Sequence, residues 1–270
     1  MVAESRVAKS SAIVKTKSKY SMFKYGYLVW LLVKKNVKNK YRRSYLGVLW
    51  TILLPLMEML IMAMIFSSIN GNIDSRIFIM CGVVVFGFHR ESTQAALGSI
   101  INARGLIDRV YIPHIIFPLA NTFSALANMF FSIVALICLA VITGFPLSWH
   151  FALVLLNFPA LLMFSTGLSI ALSAINVYFR DVGHLYTIFV QLWVFVSAVY
   201  MGVDVLPEFA QQIVRLNPLY YYVSNFRDLV MFHSIPSANN YLASYGMGIL
   251  SLVAGYVIFR LLRKNFILCI

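Results

Sequence analysis

Acidic residues are scarce in this chain. Nine Asp and Glu stand against 22 Lys and Arg in 270 residues, and charged side chains of both signs make up 11%. A soluble domain carries roughly 25%. Cysteine is sparse too. Cys81, Cys138 and Cys269 have no metal-ligand spacing, and each sits in or beside an apolar run, so they read as packing residues. Missing motifs exclude more. No G-x-x-x-x-G-K-S/T occurs, so the chain binds no ATP through a P-loop of its own. There is no H-E-x-x-H, no G-x-S-x-G and no pair of carboxylates on one helical face. His89, His114, His150, His184 and His233 are scattered, with no i, i+4 pair. Catalysis is not written in this pattern; transport or scaffolding is.

What is abundant is apolar surface. Hydrophobic residues are 61% of the chain, the mean hydropathy is +0.82, and that much apolar surface must face lipid. The formal net charge is +13, with twelve of the 22 Lys and Arg before residue 44. A basic tail can suggest nucleic acid, but the remainder is too apolar for a soluble nucleic-acid binder. The first 44 residues hold no short apolar core followed by small residues, so no cleavable signal peptide is expected.

Six apolar segments are long enough to cross a bilayer, which takes about 20 helical residues. They run roughly 45–66, 77–101, 115–142, 151–178, 184–203 and 241–262. The second is the weakest, because His89, Arg90 and Glu91 interrupt it. Positive loops stay in the cytoplasm. With a cytoplasmic N-terminus, 18 Lys and Arg fall inside and three (Arg76, Arg215 and Arg227) outside, which places both termini inside. Lys40, Arg42 and Arg43 then pin the cytoplasmic end of the first span. No repeat or linker divides the chain. Residues 1–44 read as a basic cytoplasmic tail, 45–264 as a transmembrane domain and 265–270 as a short cytoplasmic C-terminus.

Two segments are not ordinary loops. In 20–38 the apolar run Tyr27 to Val33 is too short to span, and Lys34, Lys35 and Lys38 follow it. This predicts an amphipathic helix in the cytoplasmic interface; a simple anchor at the start of the first span is the plainer alternative. In 204–240 two semi-apolar stretches are broken by Pro207, Pro218 and Pro236. A re-entrant hairpin of short helices fits, shielded by the bundle; a surface loop with amphipathic helices is the plainer alternative. The expected fold is an all-α integral membrane protein of six transmembrane helices, with the interface helix before them and the hairpin before the last.

Ionisable groups inside spans default to functional candidates. Glu58 falls mid-span, one turn after Pro55, while Arg90 and Glu91 interrupt the second span. A Glu58–Arg90 ion pair across neighbouring helices would lower the cost of both. It would either hold helices together or line a polar route for a hydrophilic solute. Tyr186, Phe189, Trp193 and Tyr200 share one helical stripe by spacing, read as a carbohydrate path or as ordinary packing. Between spans two and three, a short helix is expected from about Asn102 to Val110, stopped before Pro113. Leu106 and Ile107 would be exposed apolar knobs among Arg104, Asp108 and Arg109, suited to docking a soluble partner.

The stretches KYRRSYLGVLW (40–50), GLIDRVYIPHIIFPL (105–119), NVYFRD (176–181) and RLNPLYYYVSNFRDLV (215–230) occur in this order. Taken together they make the chain, from about residue 20 to 270, resemble permease subunits of ABC-2 type polysaccharide exporters, the translocators of O-antigen, capsule and teichoic acid. The resemblance implies half of a homodimer in the bacterial cytoplasmic membrane, docked to two copies of a separate P-loop ATPase that binds ATP and Mg. This chain itself would hold no cofactor. The 102–112 segment would be the coupling helix, with Arg104, Leu106, Ile107, Asp108 and Arg109 at the contact. The 204–240 hairpin would form an outer gate, including Pro218, Tyr220, Tyr221 and Arg227. The substrate would be a polysaccharide on a polyprenyl diphosphate lipid, its diphosphate drawn to Lys40, Arg42 and Arg43. Aromatic residues would line the channel. The charges at 89–91 exceed what the resemblance leads one to expect in that span. An exporter of a drug or small lipid is the alternative within this architecture. A stand-alone secondary transporter would show internal repeats with matching broken spans, and a membrane enzyme a cluster of His and carboxylates; neither is present.

Overall fold

The computed structural model describes residues 25–41, 47, 49–66, 74–109, 112–263 and 266. Among these every regular element is helical. In chain order they are α1 (Gly26–Tyr41), α2 (Leu49–Phe66), α3 (Ser75–Leu97), the short α4 (Arg104–Ile107), α5 (Ile116–Thr143), α6 (Val154–Tyr178), α7 (Asp181–Val196), α8 (Glu208–Leu216), α9 (Pro218–Val230) and α10 (Ala238–Leu262). Single 3-10 turns precede α4, α6 and α8.

Helix ends follow local chemistry. Asp74 accepts from the backbone N–H of Arg76 and so caps α3. Asn217 accepts from Leu219 N–H, and Pro218 follows at the first position of α9. Pro218 therefore starts a helix rather than breaking one. Gly144 ends α5 in the left-handed region, with φ 70°.

Helix α3 forms the centre. Most of its residues are buried, against α2, α5, α6 and α9. Helices α6 and α10 form the most extensive pair. They approach so closely that a Cβ at Gly167 would meet Ser251 backbone, and one at Gly255 would meet Gly167 backbone. Small residues at such crossings let helices associate where lipid gives no hydrophobic drive.

Among the described residues, four helical segments are long and apolar enough to cross a membrane: Leu49–Phe66, Ile116–Thr143, Trp149–Tyr178 and Ala238–Leu262. Six were expected. Helix α3 has 23 residues, but Arg90 and Glu91 lie in its more polar second half. Helix α7 has only 16 residues, about 24 Å at 1.5 Å per residue. The sequence extended this span to residue 203, whereas α7 ends at Val196 and the chain turns through Ala198, whose φ is 52°.

Helix α1 is docked, not merely laid on a surface. Leu32 packs against Ile112, Ile116, Phe117 and Ala120, and Asn36 donates to Asn121 Oδ1 at 2.7 Å. Phe266 packs with Ile100, Val177 and Phe259. Ile107 touches both clusters. Thus α1, α4 and the C-terminal end of α10 gather at one end of the bundle.

Candidate functional site

A cavity of about 590 Å³ lies between α1, α2, α3 and α5. Its charges come from three elements. Arg90 Nη2 on α3 donates to Glu58 Oε2 on α2 at 3.3 Å, and Tyr200 Oη donates to Glu58 Oε1 at 2.9 Å. The next residue, Glu91, accepts from Lys40 Nζ on α1 at 2.6 Å and from Asn128 Nδ2 on α5 at 2.6 Å. The expected Glu58–Arg90 pair is therefore present, and Arg90 and Glu91 take separate partners. Both pairs keep contact with the cavity, since the four side chains are 25–42% exposed. Two cations and two carboxylates balance locally. Partly solvated donors and acceptors of both signs, with Trp50 in the same wall, suit an uncharged polyhydroxyl group better than a lone anion or cation. Arg42 and Arg43 lie outside the described residues; the described member of that trio, Lys40, is engaged with Glu91.

The aromatic stripe is only partly what its spacing predicts. Tyr186, Phe189 and Trp193 form a ladder on α7, with centroids 6.1 Å and 5.0 Å apart. Tyr186 nonetheless turns inward and donates to Thr93 Oγ1 at 2.8 Å, and Trp193 Nε1 donates to Asn217 Oδ1 at 3.1 Å. Phe189 is 51% exposed. Tyr200 is not on the helix at all. It follows the turn at Ala198, is buried, and stacks on Phe66 at 5.8 Å. The turn, invisible to a periodicity argument, brings it to Glu58.

The segment after α3 is shorter than expected, a 3-10 turn over Ile101–Ala103 and then α4. Leu106 and Ile107 are not exposed knobs. They are half-buried against Leu32, Ile112 and Phe117. The exposed surface is Arg104, Gly105, Asp108 and Arg109, with Arg104 and Asp108 3.9 Å apart. Apolar side chains this close to α1 bury themselves against their own chain.

At the other end, 204–240 folds as α8 and α9 with breaks at the prolines. Tyr220 and Tyr221 meet edge to face at 5.4 Å, and Tyr221 Oη donates to Arg215 O. Arg227 is not an outside loop cation. It is 5% exposed and donates to three carbonyls, Phe78 O, Ala198 O and Val199 O, at 3.2, 2.8 and 2.7 Å. Its guanidinium lies 3.4 Å from the centre of the Phe78 ring.

Sequence reasoning also passed over a buried polar seam. His89 Nδ1 is 3.0 Å from Ser165 Oγ, and Ser92 Oγ is 3.1 Å from both Thr122 Oγ1 and Ser169 Oγ. Hydroxyl residues recurring inside three apolar segments were the available signal. Among the described residues, no group of three His, Cys, Asp or Glu could hold a metal.

The profile of the family described as ABC-2 type transporter matches residues 27–231. This chain belongs to the ABC-2 type transporter family. Along nearly its whole length it is also similar to proteins named O-antigen export system permease protein RfbA. That of Myxococcus xanthus is 27% identical over 249 residues, covering 91% of this chain and 96% of the relative. One from Klebsiella pneumoniae is 28% identical over 258 residues, covering 93% and 97%. Membership makes this ABC-2 chain a transport subunit rather than an enzyme, and the charged cavity is its candidate solute-facing site.

Proposed function

We propose that this chain is the permease subunit of an ABC exporter that moves a polysaccharide, carried on a polyprenyl diphosphate lipid, out across the bacterial inner membrane. The observation that carries this is end-to-end similarity to permeases named for O-antigen export, which favours a polysaccharide over a drug or small lipid. The charge-balanced cavity with Trp50 suits sugar hydroxyls.

In this reading two copies assemble with two P-loop ATPases, which bind ATP and Mg, and both termini are cytoplasmic. Helices α3 and α7 complete six crossings, and α8 with α9 form a re-entrant outer gate. ATPase closure would push on the exposed Arg104, Gly105, Asp108 and Arg109. Leu106 and Ile107 would pass that push to α1 and α5, against which they pack.

The deciding experiment is depletion of the chain in its host. Lipid-linked polysaccharide is expected to accumulate on the inner leaflet; the tagged chain, purified from undepleted cells, should bring down a P-loop ATPase at near one-to-one ratio. Unchanged surface polysaccharide after depletion would sink the reading.

A further inference from the structure

A second and larger cavity, about 1160 Å³, shares no residue with the charged one. It runs beneath α1, between residues 112–116, α5, α6 and α10. Val29, Val33, Leu119, Phe123, Ile170 and Leu252 make its walls apolar. Its polar lining is different: the exposed Arg260 and Arg263, three residues apart and so on one helical face, together with His114. No Asp or Glu lines it. Among the described residues neither arginine has a carboxylate partner, and His114 Nε2 is buried without a hydrogen-bond partner. The volume exceeds the roughly 300–1,000 Å³ of ordinary small-molecule sites.

A long apolar chamber with two unneutralised cations at its mouth calls for an amphiphile with an anionic head. A nucleotide or free phosphate would leave the apolar walls unused. A zwitterionic lipid would set its own cation against the arginines. We propose that this groove holds one resident anionic glycerophospholipid, its acyl chains beneath α1 and its phosphate between Arg260 and Arg263. Basic recesses between membrane helices bind anionic headgroups in this way. The lipid would complete the seating of α1, whose direct polar ties to the bundle include Asn36–Asn121 and Lys40–Glu91. The inference rests on the chain being membrane-embedded, not on its cargo.

The test is native mass spectrometry of the full chain, in the assembly it purifies in. Parallel samples carry phosphatidylglycerol, phosphatidylcholine, polyprenyl phosphate or inorganic phosphate in mild detergent. One phosphatidylglycerol per chain should be retained and phosphatidylcholine should not. Arg260→Gln with Arg263→Gln should lower retention about tenfold or more. Leu119→Trp, which narrows the chamber at its apolar wall and leaves both arginines in place, should also lower retention, so that loss of folding in one variant leaves the other to decide. Equal retention of phosphatidylcholine overturns the proposal, as does unchanged retention in both variants. Polyprenyl phosphate held in preference would assign the groove to cargo, and inorganic phosphate held as well would reduce it to an anion site; either result overturns the proposal too. Failure here leaves the export reading standing, because that reading is tested on depleted cells.

Discussion

Arg227 shows what counting charges along a sequence leaves out. Counted as an outer cation, it is a buried clamp on three backbone carbonyls, one belonging to the left-handed Ala198. Removing it would leave buried carbonyls without donors, each costing about 1–3 kcal/mol. Arg227→Met should therefore destabilise the protein by about 3 kcal/mol or more, visible as a large drop in thermal midpoint, whereas Tyr221→Phe should change little. A midpoint within a degree of wild type for Arg227→Met would refute the clamp. His114 behaves differently. Burial, then the charge of Arg263, lower its pKa from the usual 6.5. The unfolded chain thus binds its proton more readily, and stability should fall as pH drops below about 6.5. His114→Gln should flatten that acid slope in a melting series from pH 7.5 to 5.5; an unchanged slope would show that His114 does not set it.

Between helices, backbone contact matters more than side-chain chemistry. The α6–α10 crossing depends on Gly167 and Gly255 having no Cβ. Gly255→Ala must push the two backbones apart and should cost about 2 kcal/mol or more. Gly246, where a Cβ meets nothing within 4 Å, is the control expected to tolerate Ala. The α4 segment separates packing from docking. Leu106→Asp with Ile107→Asp would bury charge against α1 and should lower the yield of folded protein. Arg104→Glu with Arg109→Glu changes only exposed positions. That pair should fold normally and lose coupled ATP hydrolysis. Normal coupled hydrolysis in a well-folded Arg104→Glu, Arg109→Glu protein would end the docking reading.

The molecule as a whole poses a question of topology. With six crossings the loop at Gly105 is cytoplasmic and the loop at Leu147 is outside. With only the four most apolar segments crossing, the two sides are exchanged. In a chain whose native cysteines are replaced, Leu147→Cys should react with an impermeant maleimide on intact cells, and Gly105→Cys only after permeabilisation. The reverse pattern would establish four crossings. Helix α3 favours six: its charged residues find Glu58, Lys40 and Asn128 inside the bundle, and intramembrane charge is tolerated where it is paired and faces the interior.

Membrane character, most of the long helices within a few residues and the Glu58–Arg90 pair were legible from residue order. They depend on local quantities, namely apolar length, capping residues, prolines and the rarity of charge in an apolar run. The burial of Leu106 beside α1, the departure of Tyr200 from the α7 stripe and the carbonyl partners of Arg227 were not. Phe78 and Arg227 are 149 positions apart, and no local pattern states which distant backbone will accept a hydrogen bond. Those choices arise only when helices pack and every buried polar group must find a partner among whatever neighbours the fold supplies.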